Sequence, residues 1–581
     1  MDQGQQPYVA PSISAVCLLT RNDCEIFEFL LSSLNLHTKG YVFEEFIIVC
    51  PGKDVDYIKD MFDNQQHHPD NHLRFVTDEE ILPTTENSWF KQQVLKIWVS
   101  KYVKSDFYII FDADIICVND LTYESLIING KACTEILLTS NDDSTQNTAW
   151  YLNSARFLSY DPHNNHSVAN PQAMNVTPNI FSRHVAVTLI QYLTFIKVPP
   201  TELVVLLRQR NITEFGLYWA WAQKTGLVNQ YHTSGKLHHK HSVWYWYQAM
   251  AFHPDLIKED TAPFLIFQSN TKVPPCITRN LLIAHIEDPK NCYMPRFAYV
   301  PLVSCLMVTK NRLRFAKSAI SHFQKQIYPH KELVIVSHGQ NELVGYVRSL
   351  NDNRIRIHHI DTEDLILGDL RNMSIELATG EYCIQWDDDD FYHPTRISVM
   401  LEHLFKNDLE ATFLSQWTMA WPSKGYYSIS KNYPFGWENT MLIKKDKMPR
   451  YPSLRRGEDT AFCDKLKKQG VKCGVINEPG YHILYLYVVH GANTWNDSHF
   501  MDLFTGTKLI HEHDKFADGA RVRQAICDLA NHQACNGIER AVTVPQGSSI
   551  NYWYIVVGIL IFIIFCVVLY MIIRSNRMGR D

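Results

Sequence analysis

One order of segments runs through this chain twice. In the first pass a short apolar run, SISAVCLLT, precedes a helix-like segment at 25–36 with Phe29, Leu30 and Leu34 on one face. EFIIVC, another helix, LRFV, the amphipathic SWFKQQVLKIWVSKYV and FYIIFDAD follow. In the second pass the order is VSCLMVT, then RLRFAKSAISHFQKQ with Phe315, Ala319 and Phe323 recurring every four residues, then ELVIV, a polar helix and RIRIHHI. LGDLRNMSIELATG, closed by Gly380 as a helix cap, leads into YCIQWDDDD. Short apolar strands alternating with helices predict an α/β fold with a parallel sheet covered on both faces. The first strand lies about 100 residues before the acids in one pass and about 85 in the other, so two tandem copies of one architecture are expected.

Ligands of such sheets bind at the carboxyl ends of the strands. Both acidic clusters fall there: Asp112 and Asp114 in the first pass, Asp387, Asp388, Asp389 and Asp390 in the second. Four adjacent carboxylates repel one another, and a hard divalent cation shared with a diphosphate relieves that repulsion. Carboxylates spaced one apart can chelate Mg2+ or Mn2+ through oxygen and leave positions open for phosphate oxygens. A solvated acidic turn is the plainer alternative for Asp112 and Asp114.

The chain has 581 residues and a formal net charge of only −6, which offers no basic footprint for nucleic acid. No P-loop occurs either, which argues against a nuclease or phosphotransferase built on the aspartates. The 14 cysteines contain no CxxC pair, and Cys17, Cys50, Cys305 and Cys383 sit in apolar runs. They are expected to be reduced, buried thiols rather than a disulfide framework. Residues 552–573, YWYIVVGILIFIIFCVVLYMII, carry no charge, and at ~1.5 Å per residue they are long enough to cross a bilayer core. Tyr552, Trp553 and Tyr554 suit one interface, and Arg574, Arg577 and Arg580 the other. With no basic, apolar leader at the N-terminus, the expected arrangement is a single-pass C-terminal anchor with the catalytic bulk in the cytosol.

The ordered motifs SCLMVTKNR, QIYPHKELVIV, LGDLRNMSIELATGEYCIQWDDDDFYHPTRI, GWENTMLI, RRGEDTAFCDKL and YLYVVHGANTWNDSHF, between residues 304 and 500, resemble glycosyltransferase family 2, inverting enzymes of the GT-A fold. The resemblance implies a nucleotide-diphosphate-sugar donor and Mn2+ or Mg2+. Asp387 and Asp389 would be the outer acids of the family's DxD motif, with Asp388 between them on the donor side. Glu458 and Asp459, in GED, match its acceptor-site acids, with Asp459 as base. Arg371 and Asn372, in LRN, would lie near the donor, and Trp437, Glu438, His490 and Trp495 near the acceptor. Where the family commonly carries aspartates after the second strand, this chain has Ser337 and His338, which leaves the nucleotide open.

In the first pass TENSWFKQQVLKIWVSKYVKSDFYIIFDADIICVND, MNVTPNIFSRHV and TEFGLYWAWAQKTG resemble a poorly characterised family of glycosyltransferase-like proteins, also expected to be GT-A, over residues 13–285. Asp112 and Asp114 would be its metal-binding acids, Gln92, Gln93 and Lys96 would reach the donor, and Glu214 would orient or deprotonate an acceptor, with a helix-start acid as the equal alternative. His238, His239 and His241 are candidates for a further ligand, though exposed histidines without such a role are commoner.

The implied organisation is a GT-A-like domain at 1–290, a family 2 domain at 300–505, a helical linker at 506–551, the membrane span at 552–573 and a basic tail at 574–581. The implied activity is metal-dependent sugar transfer to a glycan, glycoprotein or lipid-linked acceptor, by two active halves or by the second half beside a carbohydrate-binding first half.

Overall fold

The computed structural model describes residues 10–507 apart from 65–71, 85–87, 139–145, 163–171, 288–299, 340–341, 362–364, 492 and 494. The expected membrane span and basic tail therefore lie outside the described residues, as does most of the linker. Among the described residues no single helix is long and apolar enough to cross a membrane.

The repeated order of segments folds into two sheets of matching topology. In the first half β1 (Ile13–Leu18), β2 (Glu45–Cys50), β3 (His72–Thr77) and β4 (Phe107–Phe111) are parallel in the order β3-β2-β1-β4, and β5 (Asn179–Ser182) adds antiparallel to β4. In the second half β6 (Val303–Lys310), β7 (Lys331–His338), β8 (Ile355–Ile360) and β9 (Tyr382–Gln385) repeat that order as β8-β7-β6-β9. Beyond β9 this sheet continues through β10 (Ala411–Leu414), β11 (Leu442–Lys444) and β12 (Cys473–Ile476), with β11 antiparallel between β9 and β10, and β12 at the edge.

The strands are apolar because both faces are covered. Val16, Ile47, Val49, Tyr108 and Ile110 enter one core cluster, whereas their neighbours Ala15, Cys17, Ile48, Ile109 and Phe111 enter the other. That alternation is the period of two a strand imposes. Helices α1 (Cys24–His37), α2 (Trp89–Trp98), α3 (Glu214–Lys224) and α4 (Pro275–Ile286) belong to the first half. Helices α5 (Leu313–Gln324), α6 (Leu367–Leu377), α7 (Arg396–Lys406) and α8 (Glu458–Lys468) belong to the second. On α5 the core face is Ala316, Ala319, Ile320 and Phe323, and Phe315 is only half-buried at its margin.

Gly380 does not cap α6. The helix ends at Leu377, and Ala378 already has extended backbone. Gly380 is required by closeness: a Cβ there would lie 2.6 Å from the Leu302 carbonyl oxygen and 2.8 Å from Ser304 N. Its N–H donates to Ser304 Oγ at 2.9 Å, part of a network in which the buried Glu332 carboxylate accepts from Ser304, Thr379 and Arg356. The ten cysteines among the described residues are free thiols, most of them buried.

The described residues form two compact units, one of residues up to 418 with 429–487 and the other of 419–428 with the described residues from 488 onward. Both sheets belong to the first unit. Within it the halves meet at buried polar contacts: His393 Nε2 lies 3.2 Å from the Ala249 carbonyl oxygen, and Cys276 Sγ lies 3.2 Å from the Tyr481 hydroxyl. In the second unit Lys424 lies over the Trp421 ring and pairs with Asp497 at 2.9 Å, while Trp421 packs on Phe500.

Candidate active site

The second-half site is built where β9 ends. Trp386 turns into the core, fully buried and stacked on Tyr392 at 3.9 Å, so the four aspartates emerge in a loop clamped from beneath. Arg396, at the start of α7, supplies much of that clamp. Its guanidinium is fully buried, lies over the rings of Tyr392 and Tyr485, and donates to the Gln385 carbonyl oxygen at 3.1 Å.

The four carboxylates have separate partners. Asp387 Oδ1 accepts from Gln385 Nε2 at 2.8 Å and faces Arg371 Nη1 at 3.4 Å. Asp388 Oδ2 accepts from Thr309 Oγ1 at 2.6 Å. Arg312 Nη1 reaches both Asp388, at 3.1 Å, and Asp389, at 2.8 Å. Asp390 is buried and accepts from the Tyr485 hydroxyl. Burial, opposed by Arg371, raises Asp387 above the usual carboxylate range. Burial and the adjacent Asp389 push Asp388 up to about 7.

Arg371 joins this loop to α8. Its Nε donates to Glu458 Oε1 at 3.1 Å, and although burial disfavours its charge, Asp387, Tyr451 and Glu458 hold it protonated. Glu458 is buried and burial raises it. Gly457, at φ +72°, provides the left-handed turn that starts α8. The next residue, Asp459, is half-exposed, with Oδ1 accepting from Thr460 N at 2.8 Å. Arg371, Gln385, Glu438, Tyr451 and Asp459 line one cleft. Trp437 stacks on Trp417 at 4.0 Å beside it, and burial raises Glu438.

The structure gives Asn372 a fixed task within the fold. Its amide donates to the Tyr451 carbonyl oxygen at 2.9 Å and accepts from Tyr451 N at 2.8 Å, so it holds the segment leading to GED rather than offering the amide to a donor. His490 and Trp495 belong to the second unit, where His490 N donates to Asn493 Oδ1 at 2.8 Å and Trp495 stacks on His499. Ser337 and His338 end β7 and are buried.

In the first half the candidate residues converge on Lys96. Its Nζ lies 2.9 Å from Asp112 Oδ1 and 3.0 Å from Glu214 Oε1, with its side chain 4% exposed. Gln93 is also buried, and its Oε1 accepts from Glu214 N at 3.2 Å, so Gln93 and Lys96 hold α3 in place and do not face an open donor site. Glu214 is 1% exposed at the start of α3. Of the two expectations for it, the helix-start acid matches this placement. Asp114 Oδ2 accepts from Ser269 N at 2.8 Å, and burial followed by the charge of Asp112 raises it to about 6. The histidines disperse. His238 pairs with Glu135 at 2.9 Å, His239 lies 3.1 Å from the Ile257 carbonyl oxygen, and His241 pairs with Glu259 at 3.0 Å.

Among the described residues no three of His, Cys, Asp or Glu form a ready-made metal cage. Mg2+ and Mn2+ in phosphate sites ordinarily take one or two carboxylates and complete their shell with phosphate and water. Asp387 and Asp389, side chains 20% and 11% exposed, fit that role. Carboxylates outnumber Arg312 and Arg371 there, and a divalent cation would relieve the repulsion among them. Arg312 and Arg396 were not singled out from sequence. Both sit in quoted motifs, TKNR and HPTRI, but a cation's partner in space has no signature along the chain.

Residues 304–457 match glycosyl transferase family 2, and residues 11–288 match a family of unknown function, DUF6492. A putative colanic acid biosynthesis glycosyl transferase, WcaA of Escherichia coli, is 42% identical over 106 residues, 18% of this chain and 38% of the relative. A putative teichuronic acid biosynthesis glycosyltransferase, TuaG of Bacillus subtilis, is 23% identical over 195 residues, 31% of this chain and 77% of the relative. A mannosyltransferase from Pyrobaculum calidifontis, solved with GDP-Man and Mn2+, aligns at a TM-score of 0.28 and 16% identity over 45% of this chain and 81% of that one. The chain spans well under half the length of the first curated relatives it matches, 38%, 25% and 37%.

Proposed function

We propose, starting from a chain whose residues 304–457 form a family 2 glycosyltransferase domain, that its second half transfers a sugar from a nucleotide-diphosphate-sugar donor to an acceptor hydroxyl with inversion. The observation that carries this reading is the cleft in which Asp459, half-exposed at the start of α8, shares a wall with Arg371 and Glu438 while Arg371 contacts the first acid of the loop. Asp459 takes the proton from the attacking hydroxyl. Glu458, fixed by Arg371, sets the start of α8 and so aims Asp459. The leaving diphosphate builds charge beside Asp387 and Asp389. A divalent cation held by those two carboxylates would neutralise it, and Arg371 supplies a second positive charge in the same cleft.

The acceptor class fits a glycan, glycoprotein or lipid-linked oligosaccharide, since residues 552–573 have the length and apolarity of a membrane anchor and tethering raises the encounter rate with a membrane-bound acceptor. The test is a donor screen on the full chain, measuring nucleoside diphosphate released from UDP-, GDP- and dTDP-sugars with Mn2+ or Mg2+. Release from at least one donor, lost on chelation, supports the reading. No release from any donor overturns it.

A further inference from the structure

The two halves share more than a sheet order. Lys96 stands on α2, the helix before the fourth strand, and Arg371 stands on α6, the helix before the corresponding strand. Sixteen residues separate Lys96 from Asp112, and sixteen separate Arg371 from Asp387. Each cation contacts the first aspartate beyond its strand, at 2.9 Å and 3.4 Å. Each also contacts a glutamate that is the first residue of a later helix: Glu214 Oε1 at 3.0 Å and Glu458 Oε1 at 3.1 Å. The helix-borne cation, strand-end aspartate and helix-start glutamate therefore occur twice, in the same topological places.

The copies differ at the next residue. In the second half Glu458 is followed by Asp459, half-exposed in the cleft. In the first half Glu214 is followed by Phe215, 3% exposed and packed edge-on against Phe181 at 5.5 Å. Among the described residues no carboxylate takes the place that Asp459 has after Glu458. Of the site's own acids, Glu214 is 1% and Asp114 6% exposed, and Asp112, with its side chain 36% exposed, is taken up by Lys96 Nζ at 2.9 Å. Lys96 Nζ sits between Asp112 and Glu214 as Arg371 sits between Asp387 and Glu458. What differs is the second acid: Asp114 is turned onto Ser269 N and 6% exposed, which leaves Asp112, already on Lys96, as the one carboxylate of the pair open to a divalent metal.

We infer that the chain has one transferring centre, in the second half, and that the first half is a copy of that centre lacking its base. This rests on the transfer proposed for the second half and answers the expectation of a bifunctional enzyme in the negative. The experiment uses the full chain and the donor released most readily in the screen. Asp459→Asn, and separately Asp389→Ala with Asp459→Asn, are compared with wild type for nucleoside diphosphate release and for Mn2+ uptake by electron paramagnetic resonance. Thermal melting checks that both variants fold, and Asp459→Asn alters a half-exposed residue at low risk to the core. The expected result is release at background and no bound Mn2+ in the double variant. Release above a tenth of wild type, or one Mn2+ still bound per chain, would overturn the inference while leaving the second-half reading intact. A wild type inert toward every donor would instead overturn the proposed function, and the single centre with it.

Discussion

Arg371 Nε stands 3.1 Å from Glu458 Oε1, with the two side chains 9% and 3% exposed. The same guanidinium faces Asp387 Oδ1 at 3.4 Å, so one cation holds a buried and a half-buried carboxylate from different elements. Removing it leaves Glu458 without its cation and Asp387 with only the Gln385 amide. Arg371→Met is expected to cost about 3–5 kcal/mol of stability, read as a lower denaturation midpoint of the full chain. Adding Glu458→Gln should recover part of the loss, and an unchanged midpoint for Arg371→Met would show that the pair contributes nothing.

Asp459 and Glu458 are adjacent but should respond differently. Asp459→Asn keeps shape and removes the proton acceptor, so turnover should fall by about 10²–10⁴-fold with the donor KM little changed. Steady-state kinetics separate the two effects. A large rise in KM at preserved turnover would assign Asp459 to binding instead.

Chelation offers a third check. Treatment with EDTA should abolish nucleoside diphosphate release, and Mn2+ or Mg2+ should restore it. In Asp389→Ala added metal should restore little, because only Asp387 would remain of the two carboxylates assigned to the cation. Full activity after exhaustive dialysis against chelator would remove the metal from the scheme.

Buried neutral histidines set the acid limit of the fold. Burial lowers His232 to about 3, where its ring nitrogens meet Thr134 Oγ1 and the Tyr218 hydroxyl. Burial likewise lowers His393 to about 4, the Ala249 carbonyl opposing it only in part. The unfolded chain takes up these protons below about pH 6.5 and the folded chain refuses them. Their contribution is thus complete above that value and declines as pH falls toward 4, by up to about 1.4 kcal/mol per pH unit for each group. Urea titrations between pH 7 and 4 should show this slope, and His393→Gln should reduce it by about one proton's worth.

Two glycines separate crowding from backbone strain. Gly380→Ala places a Cβ against the Leu302 carbonyl and Ser304 N, both backbone atoms that cannot rotate away. A loss of about 1–3 kcal/mol is expected. At Gly470 a Cβ would meet open space, and φ of +69° leaves only the left-handed penalty, about 1–2 kcal/mol. The difference between their unfolding midpoints measures the crowding.

The strand order was legible because β1, β2, β6 and β7 are each covered on both faces, which leaves near-continuous apolar runs in the sequence. The acids at the ends of β4 and β9 were legible for the same reason, since a carboxylate just past such a run marks the open edge of the sheet. The duplication of segments was visible, but the matching of Lys96 with Arg371 was not, because it depends on a helix face meeting a strand end and a third element about a hundred residues away. Burial does not separate the two glutamates in TEF and GED, which are 1% and 3% exposed. Glu214 and Glu458 both start helices, and only the residue after each one tells whether the helix presents a base or a core aromatic. Arg396 escaped notice because a fully buried guanidinium is rare for its type, and nothing beside it in the sequence announces the rings of Tyr392 and Tyr485.

The bond from His393 to the Ala249 carbonyl and the contact of Cys276 with Tyr481 join the halves through side chains as well as through the chain itself. Separately translated halves should therefore reassociate, co-migrate on a sizing column and regain turnover. The covalent connection then serves to fix stoichiometry and speed assembly, while the docked surfaces themselves keep the pieces in register.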